Sequence, residues 1–432
     1  MRGVRRLRRR VRRGSAYVVV LTVAMLVALI GLTTIAFETS EMRRSRRERE
    51  TESAAALAMS AVELGLAKVK TSSGAPNWRD AVRAAGEDVG PVLALDGGTL
   101  QWTLENSSGS RMSSDDAKPI YVVGTGTHGV ATHKTRAIVR PSGPAYTALT
   151  VPLYATDGFA FGSGSLIQGS TKIVSGDNVT ATSASVFPIV EAVSTITGGT
   201  YHAATVVGVS ELGVPGPGVF DYYLTQGTRI DATALPQQNG DLVLRDLVLS
   251  PTVNPFGTPN AEGIYVIDTD EQPLRLEYVR ILGTLVVEGL AGDQVIVQNA
   301  VHMAPAVTSF PTLLVDGALE LGLTATELSE VARGTNFNPP GTPFEGESDA
   351  DQIDTFPSEI RSIVFAEDRI TVVPDYTRIE GTLITRDDLI TESGAIIELV
   401  HDPSVIDNPP PGFYVPDGGV RVAAFSWRRV VD

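Results

Sequence analysis

The sequence predicts a mainly β protein carried on one long N-terminal α-helix. Behind the helix come a small antiparallel meander and a parallel β-helix-like head, with a β-sandwich as the alternative for the head. Three observations predict this. An uncharged run, Ser15–Phe37, continues without proline into a charged and then alanine-rich stretch ending near Lys70. Strand-like alternation occupies residues 92–141. Beyond Pro141 the chain turns to short Val-, Ile-, Thr- and Gly-rich runs broken by Gly, Asn and Asp, with little helical periodicity.

The helix comes first. A basic segment, Arg2–Arg13, ends in Gly14, and 23 residues without a charge follow it. At about 1.5 Å rise per residue they span roughly 34 Å, enough to cross a bilayer core. Eight Arg precede the run, which favours a cytoplasmic N-terminus. Arg43, Arg44, Arg46, Arg47 and Arg49 follow it, interleaved with Glu41, Glu48, Glu50 and Glu52 at spacings that suit ion pairs along a solvated helix. From Ala54 the pattern becomes amphipathic. Ala54, Ala58, Ala61 and Gly65 form a small-residue stripe beside Val62, Leu66 and Val69, and such a stripe lets another element approach closely.

Three readings fit the leader. A cleaved secretory signal has a core of about 7–15 apolar residues and a small-residue site directly behind it. Here the core is longer, and the Ala56–Ala58 site lies far downstream. A plain signal anchor is the second reading. The third is a basic leader cut between Gly14 and Ser15, leaving the whole apolar helix on the mature chain.

The third reading carries a family resemblance. Arg12–Ala16, followed by the run Tyr17–Leu21 and by the box Ser60–Leu66, resembles the start of a PilX-type minor pilin of the type IV pilin-like family. The resemblance covers about the first 70 residues. It implies cleavage between Gly14 and Ser15, and helix packing through Ala54, Ala58, Ala61, Glu63 and Gly65. It also implies partners: membrane lipid, other pilin-like subunits and a prepilin peptidase. Most pilins carry a glutamate five residues after the cut, where this chain has Val19, so the resemblance points away from a major filament subunit.

Composition sets further bounds. The net charge is −15, and removing the eight leader arginines takes it to about −23. An acidic exterior argues against nucleic acid as a partner, because phosphate binding needs a basic face. With no cysteine there is no disulfide, thiolate chemistry or cysteine-ligated zinc.

Along the chain, residues 1–14 read as leader, 15–70 as the transmembrane and periplasmic helix and 71–141 as the small β unit. Residues 142–334 read as the head, 335–358 as an exposed loop and 359–432 as C-terminal coils and tail. In the small unit a short helix from Trp78 to Ala85 precedes strands at Thr99–Leu104, Pro119–Val123 and Thr135–Val139, with a turn at Gly124–Gly129. In the head, Arg280–Leu285 is echoed by Arg378–Leu383, as equivalent coils of one solenoid would be. If they are equivalent, Gly283 and Gly381 occupy bends, Leu285 and Leu383 point inward, and Thr284 and Thr382 point to solvent. A capping box at Thr324–Glu327 opens a helix that Gly334 closes.

Catalytic patterns are sparse. His128 and His133 form the one close histidine pair, without an evident third ligand. Asp268 and Asp270 sit in a turn-like segment, and Asp387 and Asp388 alternate on a strand. Asp349, Asp351 and Asp354 offer oxygen ligands for calcium but lack the EF-hand glycine and glutamate. No cofactor and no enzymatic activity are expected. The chain therefore reads as a single-pass structural subunit of the bacterial inner membrane, with its head outside the cytoplasm, acting in filament assembly or surface contact. The alternative is a stand-alone membrane-anchored β-helix that binds or cleaves envelope polysaccharide.

Overall fold

The computed structural model describes residues 14–73, 77–106, 108–114, 119–169, 171–290, 292, 294–415, 419–423 and 426–430. The leader segment Arg2–Arg13 lies outside them. Helix α1 (Gly14–Ser72) is continuous, as its lack of proline allows. Its side chains from Tyr17 to Arg49 are almost all exposed, and burial begins at Glu50. Helix α2 (Trp78–Ala84) is short. Asn77 at its start takes a left-handed conformation (φ 54°) and makes no side-chain cap bond.

The second half of α1 lies on an antiparallel sheet made of β1 (Leu93–Leu95), β2 (Gly98–Glu105), β3 (Ile120–His128) and β4 (Ala131–Ser142). Burial alternates along β2, so Leu100, Trp102 and Leu104 face the helix. The far edge of β4 pairs with the tail strand Gly419–Val422 and with Arg428–Arg429. Gly124–Gly129 is not a turn: β3 runs to His128, and the reversal comes at Gly129 and Val130. Gly124 and Gly126 serve close approach within a strand, which reads from sequence like turn chemistry.

The head is one large parallel sheet wound into coils with three faces. On the first face Leu285, Leu313, Val364, Leu383 and Leu153 stack in register. On the second, Leu274, Val295, Leu319, Ile370, Leu389, Phe159 and Val179 do the same. All of these belong to a single interior cluster. On the third face the outward ladder is polar: Arg280, His302 and Glu359 stack, as do Arg378, Glu398 and Gln168. Long strands turn the corner between the second and third faces at residues with positive φ, among them Asp246, Tyr278 and Asn299.

The first face is apolar on both sides. Its outward ladder runs Val266, Val286, Leu314, Phe365, Ile384, Tyr154 and Val174. This explains unbroken apolar runs such as Ile264–Ile267, because a parallel strand buried on both faces has no polar positions to alternate. Three segments cover it: the turn at Thr147–Thr150, the residues after Val207 with the short helix Asp221–Gln226, and residues 404–413. Tyr223 is fully buried there and donates to the Pro411 carbonyl at 3.1 Å.

Three expectations are corrected by this covering and by the insertion at 324–358. The echo positions are equivalent coils: Gly283 (φ 159°) and Gly381 (φ 151°) sit at the same corner, and a Cβ on either would meet the carbonyl oxygen of the previous coil at 2.0 and 1.9 Å. However, Thr284 and Thr382 are fully buried, not solvent-facing, because the outer surface of the face is roofed over. The helix expected from Thr324 is only Glu330–Arg333; Ser329 caps it, and Gly334 (φ 64°) ends it. Residues 335–358 are not simply an exposed loop. Phe337 and Phe356 are fully buried against Val248, Ala300 and Leu328.

Candidate functional site

The seat of the anchor helix is the first candidate. Ala54, Ala58 and Ala61 are fully buried, and Gly65 is buried beside them, where a Cβ would lie 2.5 Å from Val122 Cγ1. The sheet meets the alanines with glycines. A Cβ on Gly124 would lie 2.1 Å from the Ala58 carbonyl oxygen and 2.7 Å from the Val62 nitrogen. On Gly126 it would lie 2.2 Å from the Ala54 carbonyl oxygen. Helix backbone and strand backbone are therefore in near contact, with no side chain between them. Glu63 is exposed and takes no part in this packing. The sheet glycines were the missed partners. Their signal was glycine at alternate strand positions opposite alanines spaced by three and four.

Below the seat the helix leaves the protein. Arg44 pairs with Glu48 at 3.0 Å and Arg46 with Glu50 at 2.8 Å, both at i,i+4 spacing. The residues from Tyr17 to Phe37 are long and apolar enough to cross a membrane, and none is buried within the chain. Gly14 and Ser15 open the helix.

Where the small unit joins the head, Arg140 bridges them. Its guanidinium donates to Glu262 at 2.5 Å and lies over the rings of Tyr222 (5.1 Å) and Phe310 (5.2 Å). The Tyr222 hydroxyl donates to the same Glu262 at 2.9 Å, and burial holds that phenol far above its ordinary range.

The polar candidates separate. His133 lies opposite Gly126 and His128 opposite Ala131, so the two imidazoles are not cross-strand partners. Asp268 ends a strand, and its carboxylate accepts the Asp270 amide at 3.2 Å. Asp387 accepts the Asp388 amide at 2.7 Å. Asp351 and Asp354 come together with Glu330, their ligand oxygens all within 4.8 Å of one another. Asp349 stands outside that group and accepts the Asp351 amide at 3.1 Å.

No family model matches the chain, and no curated protein matches it. Among solved structures the chain is similar to the crystal structure of the competence-associated pilin ComZ from Thermus thermophilus, at 12% identity and a TM-score of 0.32. The likeness covers 79% of this chain and 88% of that one.

Proposed function

We propose that this chain is a membrane-inserted, pilin-like structural subunit of the minor-pilin kind, acting in filament assembly or surface contact. The observation that carries the reading is the division of α1. One unbroken helix has an apolar first half with no partner inside the chain and a second half locked backbone-to-backbone onto a sheet. At about 1.5 Å per residue, its 59 residues reach roughly 88 Å. The free apolar half fits lipid before assembly and the helices of neighbouring subunits after it, while the locked half ties the helix to the small β unit.

In this reading a prepilin peptidase cuts between Gly14 and Ser15, the N-terminus stays on the cytoplasmic side of the bacterial inner membrane, and the head is extracytoplasmic. The head's work is contact, not turnover. Its broad first face is roofed by its own chain.

The test is the intact mass of the protein recovered from membranes. The expected mass begins at Ser15, with or without N-methylation. A chain beginning at Met1 or near Ser60 overturns the proposal.

A further inference from the structure

The two ends of the solenoid are built differently. At one end the core is closed. Ile230 and Leu235 are buried there, and Gln237–Gln238 folds back antiparallel onto Asp241–Leu242. Arg229, Asp231, Asp241 and Arg245 put charge around that end. At the other end the last coil is open. Ile196–Tyr201 pairs on one side with Asn178–Val186, and Thr205–Val207 pairs on one side with Ile189–Ala192. Among the described residues neither strand has a partner on its outer side. Every second residue of a parallel strand turns its amide and carbonyl away from a given neighbour, so this end presents unpaired backbone groups.

The core is open there as well. Val207 continues the interior column of Ala155 and Ala192, Ile196 that of Phe159 and Val179, and Tyr201 that of Ile167 and Val186. Yet Val207 is 57% exposed, and Ile196 and Tyr201 are only half-buried. Exposed sheet edges are ordinarily guarded by charge, by proline or by a covering segment. This edge is not. Residues 178–210 carry one formal charge, Glu191, in a chain that is 20% charged. Lys172 pairs with that carboxylate at 2.9 Å. No proline lies between Pro188 and Pro215.

We propose that the open end is a self-pairing surface, on which the same end of a second copy stacks across a two-fold axis. Charge selects the occupant. Two chains of net charge −15 repel over most of their surface, and the charge-free end is where they meet without that cost. A second copy also brings the same unfinished core layer, so Val207, Ile196 and Tyr201 of each copy cover those of the other. Strand direction fits too. Seen end-on from outside, both copies wind in the same sense, so facing ends bring their edge strands together antiparallel, as a two-fold requires. A contact of this self-complementary kind stops at two copies and builds no fibre.

The inference does not depend on the filament reading. The chain has no cysteine, so one introduced cysteine carries a unique nitroxide label on the full chain in detergent micelles. Ser210→Cys places it on an exposed residue just beyond the open end, and Ala234→Cys on an exposed residue at the closed end. Ten strands stack along the first face, so at about 4.8 Å each the ends of one head lie roughly 43 Å apart. Stacking open end on open end brings the labels at 210 within range of dipolar coupling and holds those at 234 about 90 Å apart, beyond it. The expected result is coupling at 210 that grows with protein concentration, and none at 234. Val207→Lys sets like charges against each other and should weaken the pairing at least about tenfold. Val331→Lys, the same change at an exposed valine of the insertion, should leave it unchanged. If Val207→Lys melts below the parent, Thr200→Lys, exposed on the same edge, takes its place. No coupling at 210 at any concentration would leave the edge to a different protein and overturn the self-pairing. Equal coupling at 210 and 234 would assign the association to the anchor helix and overturn it too, as would an equal response to the edge variant and Val331→Lys.

Discussion

Replacing Gly124 by alanine adds one methyl group, and the structure says what it meets. The new Cβ would sit 2.1 Å from the Ala58 carbonyl oxygen and 2.7 Å from the Val62 nitrogen, both backbone atoms that no rotamer change moves aside. Ordinary contact needs about 1 Å more, so the helix must lift from the sheet. In an open strand the same change would stabilise by about 0.5–1 kcal/mol, because alanine loses less entropy on folding than glycine. Overpacking costs about 1–3 kcal/mol and reverses the sign. At about 1.4 kcal/mol per factor of ten, the population with α1 undocked should rise roughly ten- to hundredfold. The head has its own core, so a global melt would miss the effect. Hydrogen exchange of the amides at 51–69 reports it directly, and so does the fluorescence of Trp102, which is buried beneath the helix. Ala58→Leu should act the same way from the helix side, whereas Ala67→Leu, at an exposed position of the same helix, should stay within about 0.5 kcal/mol. If Gly124→Ala and Ala58→Leu leave exchange no faster than Ala67→Leu does, the backbone seat is not what holds the anchor.

Three further outcomes are expected. His302 is buried, its Nδ1 donates to the Pro357 carbonyl at 3.0 Å, and burial holds its imidazole down at about 4. Its folded pKa lies below the unfolded value, so it costs stability as pH falls from about 6.5 towards 4, on the order of 3 kcal/mol in total, and His302→Gln should flatten that part of a denaturation-versus-pH curve. Burial raises the carboxyls of Asp157, Asp316 and Glu367, which contribute with the opposite sign, so the difference between parent and variant isolates His302. Leu383→Asp should unfold the head by burying an unpaired charge, and Thr382→Asp should do nearly as much because that position is fully buried too; chemical denaturation of the full chain checks both. Thr382→Val, by contrast, should be neutral or stabilising, since the Thr382 hydroxyl has no hydrogen-bond partner to lose.

Much of the fold was legible because it is written in local patterns. The charge-free run and its proline-free continuation gave the helix, and alternation gave the meander. The echo at Arg280 and Arg378 marked truly equivalent coils. What was illegible depends on neighbours distant in sequence. Thr284 looks like a solvent-facing strand residue until the segments that roof the first face are in place, with its hydroxyl donating to the Pro311 carbonyl at 2.6 Å. The insertion looked polar because Pro, Gly and Asp dominate it. Phe337, Phe344 and Phe356, three rings in about 20 residues, were the signal that it packs. Asp351 and Asp354 are visible in the sequence as acidic loop residues, but Glu330 lies in a helix-like stretch and Asn338 in a loop-like one, and only folding brings these residues together.

The order of the coils is the deepest feature hidden from the sequence, since every parallel coil carries the same short apolar runs. The chain enters the stack in its middle, at Leu153–Ala155, and builds outward to Thr205–Val207. It then runs back along the first face, restarts at the opposite end with Thr228–Asp231, and builds inward until Leu383–Thr385 closes against Leu153–Ala155. The seam joins residues roughly 230 apart in sequence, a loop closure that makes slow, late seam formation the expected folding step. The same seam explains how the head is held. Entry and exit leave it side by side: Ala145 bridges Tyr414, the Val415 amide donates to Pro144 at 2.8 Å, and the Tyr146 amide donates to Phe413 at 3.1 Å. From there the exit strand continues along β4, which is itself the strand that leads in. The head is therefore carried on two paired strands instead of one linker. Any force on the anchor helix passes through its glycine-lined seat into that pair and reaches the solenoid at its centre, where coils pack on both sides.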